Sequence, residues 1–516
     1  MTATLADLVA EQARRRPTAP AVAAAGRELT WADLDEQTAL LAGSLQQMGV
    51  ERGDRVGIWM HKSLRTPVAV HGVLRAGGAY VPLDPLTPPA AVARTIEDCG
   101  LDIVVSETPA ADRLPQLFAA APRLRSAVGV VDDTVPGVRW EDLGAVGAPV
   151  ALTRDDLAYV MYTSGSTGEP KGIMHTHGSA MAYASRAAAT YSLEPDDRLG
   201  LLTPIHFDMS TFELFAGPLA GACTVVVPEP YLRVPASLAQ LIAKEQITTL
   251  YGVPFLFTQL LDRGALDQHD LGRVRWLLYG GEPFAARRLA EWMRRLPNCR
   301  VSNVYGPAEV NQCTFHHLDE PPPLDVVIPI GECWDGADGR VVVDGRDARR
   351  GDPGELWIAS PTMMAGYWAR PDRTAESVVQ DREGRRWYRT GDLVVEVDPG
   401  RYQFVARMDD QVKVRGHRLE LSPVELALGA IDGVRHAVAG VIEGDGRASE
   451  LVAVYVGSSS TEDILRQLAE QLPPYAVPSR LAAVDDLPTG PTGKIDRRHV
   501  RRHVLPELFP TEVRVP

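Results

Sequence analysis

The sequence predicts an α/β fold: a large N-terminal domain of layered α/β subdomains plus a β-rich subdomain over residues 1–408, and a small α+β C-terminal lid over residues 409–516. Three observations carry this. Helical and strand patterns alternate through residues 1–150, as in stacked parallel α/β layers. Residues 340–408 read as short strands separated by Gly and Asp turns. From Asp409 onward, strand, helix, strand and helix patterns start afresh, in a stretch the size of a small domain. The chain has 516 residues, 45% of them hydrophobic, which is too much material for one ordinary core.

Taken in order, residues 5–16 and 31–48 have apolar residues at helical spacing. Arg55-Val-Gly-Ile-Trp-Met60 and Ile103-Val-Val-Ser106 read as short buried strands, and Pro82-Leu-Asp-Pro85 as loop punctuation. Arg340-Val-Val-Val343, Glu355-Leu-Trp-Ile358 and Tyr402-Gln-Phe-Val405 are β candidates. In the lid, Val412-Lys-Val-Arg-Gly416 reads as strand and turn. Ser422-Pro-Val-Glu425 has the form of a capping box, with Pro at the first helical position of a helix running into Ala430. Leu451-Val-Ala-Val-Tyr455 is a strand, followed by a helix over 462–471.

Composition narrows the function. Lys and Arg number 53 against 67 Asp and Glu, a net charge of -14, so no nucleic-acid partner is expected. Mean hydropathy is -0.10, and no apolar run is long enough to span a bilayer, so no membrane partner is expected. The start lacks a basic stretch followed by an apolar core, and a cytoplasmic enzyme is the simplest expectation. The five cysteines, Cys99, Cys223, Cys299, Cys313 and Cys333, have no zinc spacing and read as reduced thiols.

The most informative stretch is Tyr162-Thr-Ser-Gly-Ser-Thr-Gly-Glu-Pro-Lys-Gly172. Gly165 and Gly168 let backbone N–H groups approach an anion closely. Ser164, Ser166 and Thr167 supply hydroxyl donors, and Lys171 a point charge. The spacing is not that of a Walker loop.

This stretch resembles the phosphate loop of the adenylate-forming superfamily, which includes acyl-CoA synthetases, luciferases and nonribosomal peptide synthetase adenylation domains. Four further motifs follow in that family's order: Asn303-Val-Tyr-Gly-Pro-Ala-Glu309, Tyr388-Arg-Thr-Gly-Asp392, the hinge segment from Arg407 to Glu420, and Pro491-Thr-Gly-Lys-Ile-Asp-Arg497. The resemblance covers residues 10 to 500. It implies ATP and Mg²⁺ as cofactors and a reaction in which a carboxylate attacks the ATP α-phosphate and expels pyrophosphate. By the same resemblance, Thr163 to Lys171 hold the leaving phosphates, Glu309 helps hold Mg²⁺, Tyr305 stacks on adenine with Asn303 near the base, Asp392 accepts both ribose hydroxyls, and Arg407 contacts ribose or phosphate. Lys494 reaches the α-phosphate and the substrate carboxylate, and Asp409 is the hinge about which the lid swings for the thioester half-reaction. Plainer readings exist: Asp392 as a turn residue after Gly391, Glu309 as a helix-start carboxylate, Lys494 as a solvated lysine. Two positions depart from the family pattern, Ala308 for a usual Thr and Ala406 for a common Gly.

In His206-Phe-Asp-Met-Ser-Thr-Phe-Glu-Leu214, Asp208 reads either as a cap of the helix that follows or, by resemblance to amino-acid-activating relatives, as the partner of the substrate ammonium. Such a pair is worth roughly 4 kcal/mol at an effective dielectric near 20, and simple acids have no use for it. The remaining pocket positions, carried over by motif, are Met209, Phe212, Tyr251, Leu278, Gly280, Val304, Gln312 and Cys313. They imply a small to medium, apolar side chain, with Gly280 leaving depth and Gln312 offering either one polar contact or an aliphatic wall. Tyr251, Leu278 and Cys313 resemble stand-alone proline-activating enzymes; the wording around His206 and Tyr305 resembles stand-alone ligases of macrolactam pathways, which activate β-amino acids or add a small α-amino acid. An acyl-CoA synthetase on a simple acid is the rival. Only a short tail follows Lys494, so the expected partner is a separate phosphopantetheine-bearing carrier protein, with the basic run Arg497 to Arg502 as a candidate landing site or simply a solvated helix face.

Overall fold

The computed structural model describes residues 4–131, 133–144, 146–163, 171–408, 411–414, 417–444, 447–488, 495 and 497–510. The chain divides into two compact units. One comprises residues 1–85, 95–162 and 172–408; the other comprises residues 86–94, 163–171 and 409–516.

The first unit is built on two large sheets. In one, the parallel strands Pro20–Ala24, Cys223–Val226, Arg198–Leu201, Thr249–Gly252, Trp276–Gly280 and Arg300–Tyr305 lie side by side. Their β-branched and aromatic content and buried faces are those of strands covered on both sides. The other sheet includes the parallel strands Leu157–Thr163, Ala79–Leu83, Arg55–Trp59, Ile103–Ser106 and Ser126–Val128. Helices supply the intervening layers. Trp31–Gln47 starts at a reciprocal cap: Thr30 Oγ1 accepts from Asp33 N at 3.2 Å, and the Asp33 carboxylate accepts from Thr30 N at 2.9 Å. Tyr159 stacks on His175, on the neighbouring strand Lys171–Thr176 of the same sheet, with ring centres 4.9 Å apart, and on Phe215 at 6.1 Å.

Two expectations change here. Pro82 lies inside the strand Ala79–Leu83, not in a loop. Its register partner is Ile58, while on the other flank this strand pairs with Leu157–Thr163 only at Tyr80, so the missing N–H falls where that ladder has ended. The strand-rich region near 340–408 is continuous with the first sheet. Gly331–Cys333 pairs with both Thr314–Leu318 and Arg401–Arg407, which joins the antiparallel strands to the parallel ones edge on.

The second unit carries a hairpin of Gln411–Val414 with His417–Glu420 and a three-stranded sheet of Val434–Gly444, Arg447–Gly457 and Arg480–Ala483. Its first long helix is Leu421–Gly429 with Glu420 at the cap position, so Ser422 falls inside the helix and not at the expected cap position. Glu425 is used elsewhere: it accepts from Ala439 N at 3.2 Å and pairs with Arg497 at 2.6 Å and Arg501 at 2.9 Å. These pairs tie two members of the basic run 497–502 into their own unit, and Arg501 Nε also donates to Ala439 O at 2.9 Å. A freely solvated basic face is therefore not what Arg497 and Arg501 form.

Candidate functional site

The candidate residues of the first unit come from the C-terminal ends of its parallel strands and from the antiparallel extension, the edge at which open α/β sheets hold ligands. Asp392 lies within the strand Arg386–Asp398 and is not a turn residue, although Gly391 before it has φ +67. Its carboxylate is 5% exposed. One oxygen accepts from the Tyr305 hydroxyl in a short hydrogen bond, and the other from Arg407 Nη1 at 2.6 Å; the same nitrogen donates to Thr390 O at 2.8 Å. Burial, then the Asp392 charge, pushes the Tyr305 phenol well above its usual range, so it stays a donor. A carboxylate has about four lone-pair sites, so two hydrogen bonds leave Asp392 able to accept a diol. The Asn303 amide donates to Pro329 O at 2.8 Å, which fixes that side chain beside Tyr305's strand.

Glu309 sits in a turn after the strand Arg300–Tyr305, not at a helix start. It is 1% exposed and accepts from the Tyr367 hydroxyl at 2.9 Å, while Met364 N donates to its carbonyl at 2.7 Å. His175 braces the same turn: its Nε2 is 2.8 Å from Ala308 O, so that nitrogen carries the proton, and Nδ1 then accepts from Ser179 Oγ at 3.2 Å. Burial lowers His175 to about 4, which keeps the ring neutral. Ala308, where the family usually has Thr, thus contributes its carbonyl. Mg²⁺ takes hard oxygen donors, often one or two carboxylates plus substrate phosphates. Glu309 supplies one such carboxylate; among the described residues no group of three or more His, Cys, Asp or Glu forms a ready cage. That donor set fits an ion shared with phosphates.

Asp208 opens a short 3-10 turn, Asp208–Ser210, whose cap position is Phe207 and which has no side-chain cap. The capping reading is therefore set aside. A π-helical turn, Phe212–Ala216, follows directly, a distortion common at functional sites. The charge of Asp208 is felt by Tyr159, Tyr183 and Tyr251, whose phenols are raised well above their usual range, chiefly by burial. Thr211 Oγ1 donates to Asp208 O at 2.6 Å, and Asn311 Nδ2 donates to Tyr159 OH at 2.9 Å. Met209, Phe212, Tyr251, Leu278, Val304, Gln312 and Cys313 are all buried, with Tyr251 opposite Leu278 and Gly280 opposite Val304 in register. Gly280 has a tighter reason than depth. A Cβ there would meet Val304 O at 2.5 Å, with the Tyr251 hydroxyl 3.8 Å away.

Thr163 ends the strand Leu157–Thr163, and Lys171, which groups with the second unit, pairs with Glu420 at 3.4 Å. Ser164, Gly165, Ser166, Thr167 and Gly168, the hinge residue Asp409 and Lys494 lie outside the described residues. Sequence reasoning did not reach Tyr367, His175, Tyr159, Tyr183 or Asn311. Each acts on a partner 58 to 152 residues away, a relation that local spacing does not encode.

A family model described as AMP-binding enzyme matches residues 9–368. The L-proline–[L-prolyl-carrier protein] ligase of Pseudomonas fluorescens is 34% identical over 495 residues, covering 91% of this chain and 95% of that protein. Tyrocidine synthase 3 of Brevibacillus parabrevis is 32% identical over 502 residues, which are 96% of this chain and 8% of that much longer protein. Among solved structures, the amide bond synthetase McbA from Marinactinospora thermotolerans superposes with a TM-score of 0.86 at 25% identity, covering 96% of this chain and 99% of that one. PA1221, a nonribosomal peptide synthetase protein containing adenylation and carrier domains, gives 0.80 at 26% identity, covering 96% and 84%.

Proposed function

The chain belongs to the AMP-binding enzymes, and from that premise we propose that it is an ATP-dependent amino acid–carrier protein ligase. The substrate carboxylate attacks the ATP α-phosphorus, the bond to pyrophosphate breaks, and aminoacyl-AMP forms. A phosphopantetheine thiolate of a separate carrier protein then attacks the acyl carbon and AMP leaves. Asp392 accepts the ribose hydroxyls while Tyr305 and Arg407 hold it in place; Tyr305 and Asn303 flank the adenine. The loop from Thr163 to Lys171 holds the leaving phosphates. Lys494 meets the α-phosphate and the substrate carboxylate, where charge builds up in the transition state. Mg²⁺ held through Glu309 would neutralise phosphate charge.

The observation that carries the amino-acid reading is Asp208, a carboxylate whose charge is felt by the buried, neutral tyrosines Tyr159 and Tyr251. An ammonium group is the complementary ligand. Asp208→Ala is expected to lower kcat/KM in amino-acid-dependent ATP–pyrophosphate exchange by about 100- to 1,000-fold, the upper end corresponding to the roughly 4 kcal/mol of such a pair, while ATP binding persists. Unchanged exchange would sink this reading and favour a simple-acid substrate. Identity of 34% to the L-proline ligase over nearly its full length favours proline as a second reading. A panel of proline, alanine, β-alanine and 3-aminobutyrate separates proline and small α-amino acids from the β-amino acids of macrolactam-type antibiotic biosynthesis.

A further inference from the structure

Gln312 is 3% exposed, and its amide is only half satisfied. Oε1 accepts from the Tyr183 hydroxyl at 3.0 Å, whereas Nε2, sealed from solvent, has no hydrogen-bond partner among the described residues. Buried amide donors are almost always paired, so a missing partner of the right chemistry is the first explanation to test. The location supports it. Tyr183, which anchors Oε1, feels the Asp208 charge, and its ring stacks on Trp334 at 5.6 Å. The free nitrogen is one amide width from that anchor, in the same group of side chains as the ammonium partner.

The backbone is also held in an uncommon shape to deliver this side chain. Asn311 and Gln312 both have positive φ, +46 and +58, which non-glycine residues rarely adopt. Asn311 is pinned through Tyr159 OH at 2.9 Å and Thr211 Oγ1 at 3.4 Å. Gly306 leaves room for the turn, since a Cβ there would fall 2.3 Å from Gln312 Cα. Of the other pocket side chains, Asp208 and Tyr251 carry oxygens but neither accepts from this amide, and Met209, Phe212, Val304 and Cys313 are buried and carry none.

We propose that the substrate side chain, otherwise small and apolar, carries one oxygen, a hydroxyl or carbonyl, that accepts a hydrogen bond from Gln312 Nε2. This rests on the reading of Asp208 as the ammonium partner. A site built to hydrogen-bond a substrate oxygen rejects the isostere lacking it, because its own donor is then left unpaired.

The test is kcat/KM in ATP–pyrophosphate exchange for matched pairs: threonine and valine, serine and alanine, 4-hydroxyproline and proline, 3-amino-2-hydroxybutyrate and 3-aminobutyrate. In the best pair the oxygen-bearing member should lead by about 100-fold in the wild type. Gln312→Met, which keeps length and loses the donor, should shrink that ratio to within about threefold; Gln312→Glu, which accepts but cannot donate, should do the same. Apolar members equal or better in the wild type overturn the inference and leave amino-acid activation standing. Equal loss for both members in Gln312→Met also overturns it, since the amide then serves a group all substrates share. Exchange with no amino acid at all, or exchange indifferent to Asp208→Ala, removes the underlying reading instead.

Discussion

At the scale of single residues, Asp392 is the most constrained group in the site. It is buried, takes a short hydrogen bond from Tyr305 and an ion pair from Arg407, and keeps acceptor sites in reserve. Removing its charge leaves Arg407 without its carboxylate partner, which for a buried pair costs about 3–5 kcal/mol. Asp392→Asn is expected to raise the KM for ATP by tenfold or more and to lower the melting temperature; a KM within twofold of wild type would show that the ribose is held elsewhere. Tyr305→Phe should act in the same direction with a smaller effect, about 1.5–3 kcal/mol for a hydrogen bond to a charged group. The two motifs that supply these residues are visible in the sequence, as is the diol-binding chemistry expected of Asp392. The bond between them is not, because Tyr305 and Asp392 are 87 residues apart.

At the scale of elements, the segment that delivers Asp208 is clamped by a lysine that belongs to no motif. Lys62 follows the strand Arg55–Trp59 and is 5% exposed. Its ammonium donates to Leu201 O at 3.0 Å and to Leu202 O, at the entry to the Asp208 segment. Burial pushes it down to about 8, against the attraction of Glu229 and then Glu213, the latter in the π-helical turn at the segment's exit. The lysine therefore holds the entry to the loop through two backbone carbonyls. Lys62→Met is expected to raise the amino-acid KM by about tenfold, one lost positioning interaction of about 1.4 kcal/mol, with the KM for ATP unchanged; equal shifts in both would mark a general packing defect. Pro82 and Ser422 show the opposite lesson. Local rules read Pro as a breaker and Ser-x-x-Glu as a cap. Tertiary pairing overrides both, by placing Pro82 where a ladder stops and by giving Glu425 two arginines.

At the scale of the whole molecule, the alternation of strand and helix patterns is enough to read the layered α/β class, because strands such as Trp276–Gly280 bury both faces and helices such as Thr461–Gln471 bury one. The joining of the β-rich extension to the parallel sheet is not readable, since it depends on a three-residue strand, Gly331–Cys333. The interior also sets an acid limit. His71, His175 and His177 are buried and lowered by burial to about 4. Between pH 6.5 and 4 the unfolded chain binds protons that the folded one refuses, so stability falls as pH falls. Each such window of about 2.5 pH corresponds to about 3 kcal/mol, and three of them rival the usual net stability of a domain. Melting temperature should therefore drop steeply below pH 6 and more gently in His71→Gln; a flat profile from pH 7 to 4.5 would contradict the buried neutral rings.

Within the first unit the proposed function rests on two carboxylates: Asp208, proposed to select for an amine, and Asp392, proposed to accept the ribose hydroxyls. The most direct measurement compares each amino acid with its deaminated acid in ATP–pyrophosphate exchange on the wild-type protein. The predicted result is exchange with at least one amino acid and about 100-fold less with the acid that lacks only the amine. Equal exchange with the deaminated acids would contradict it.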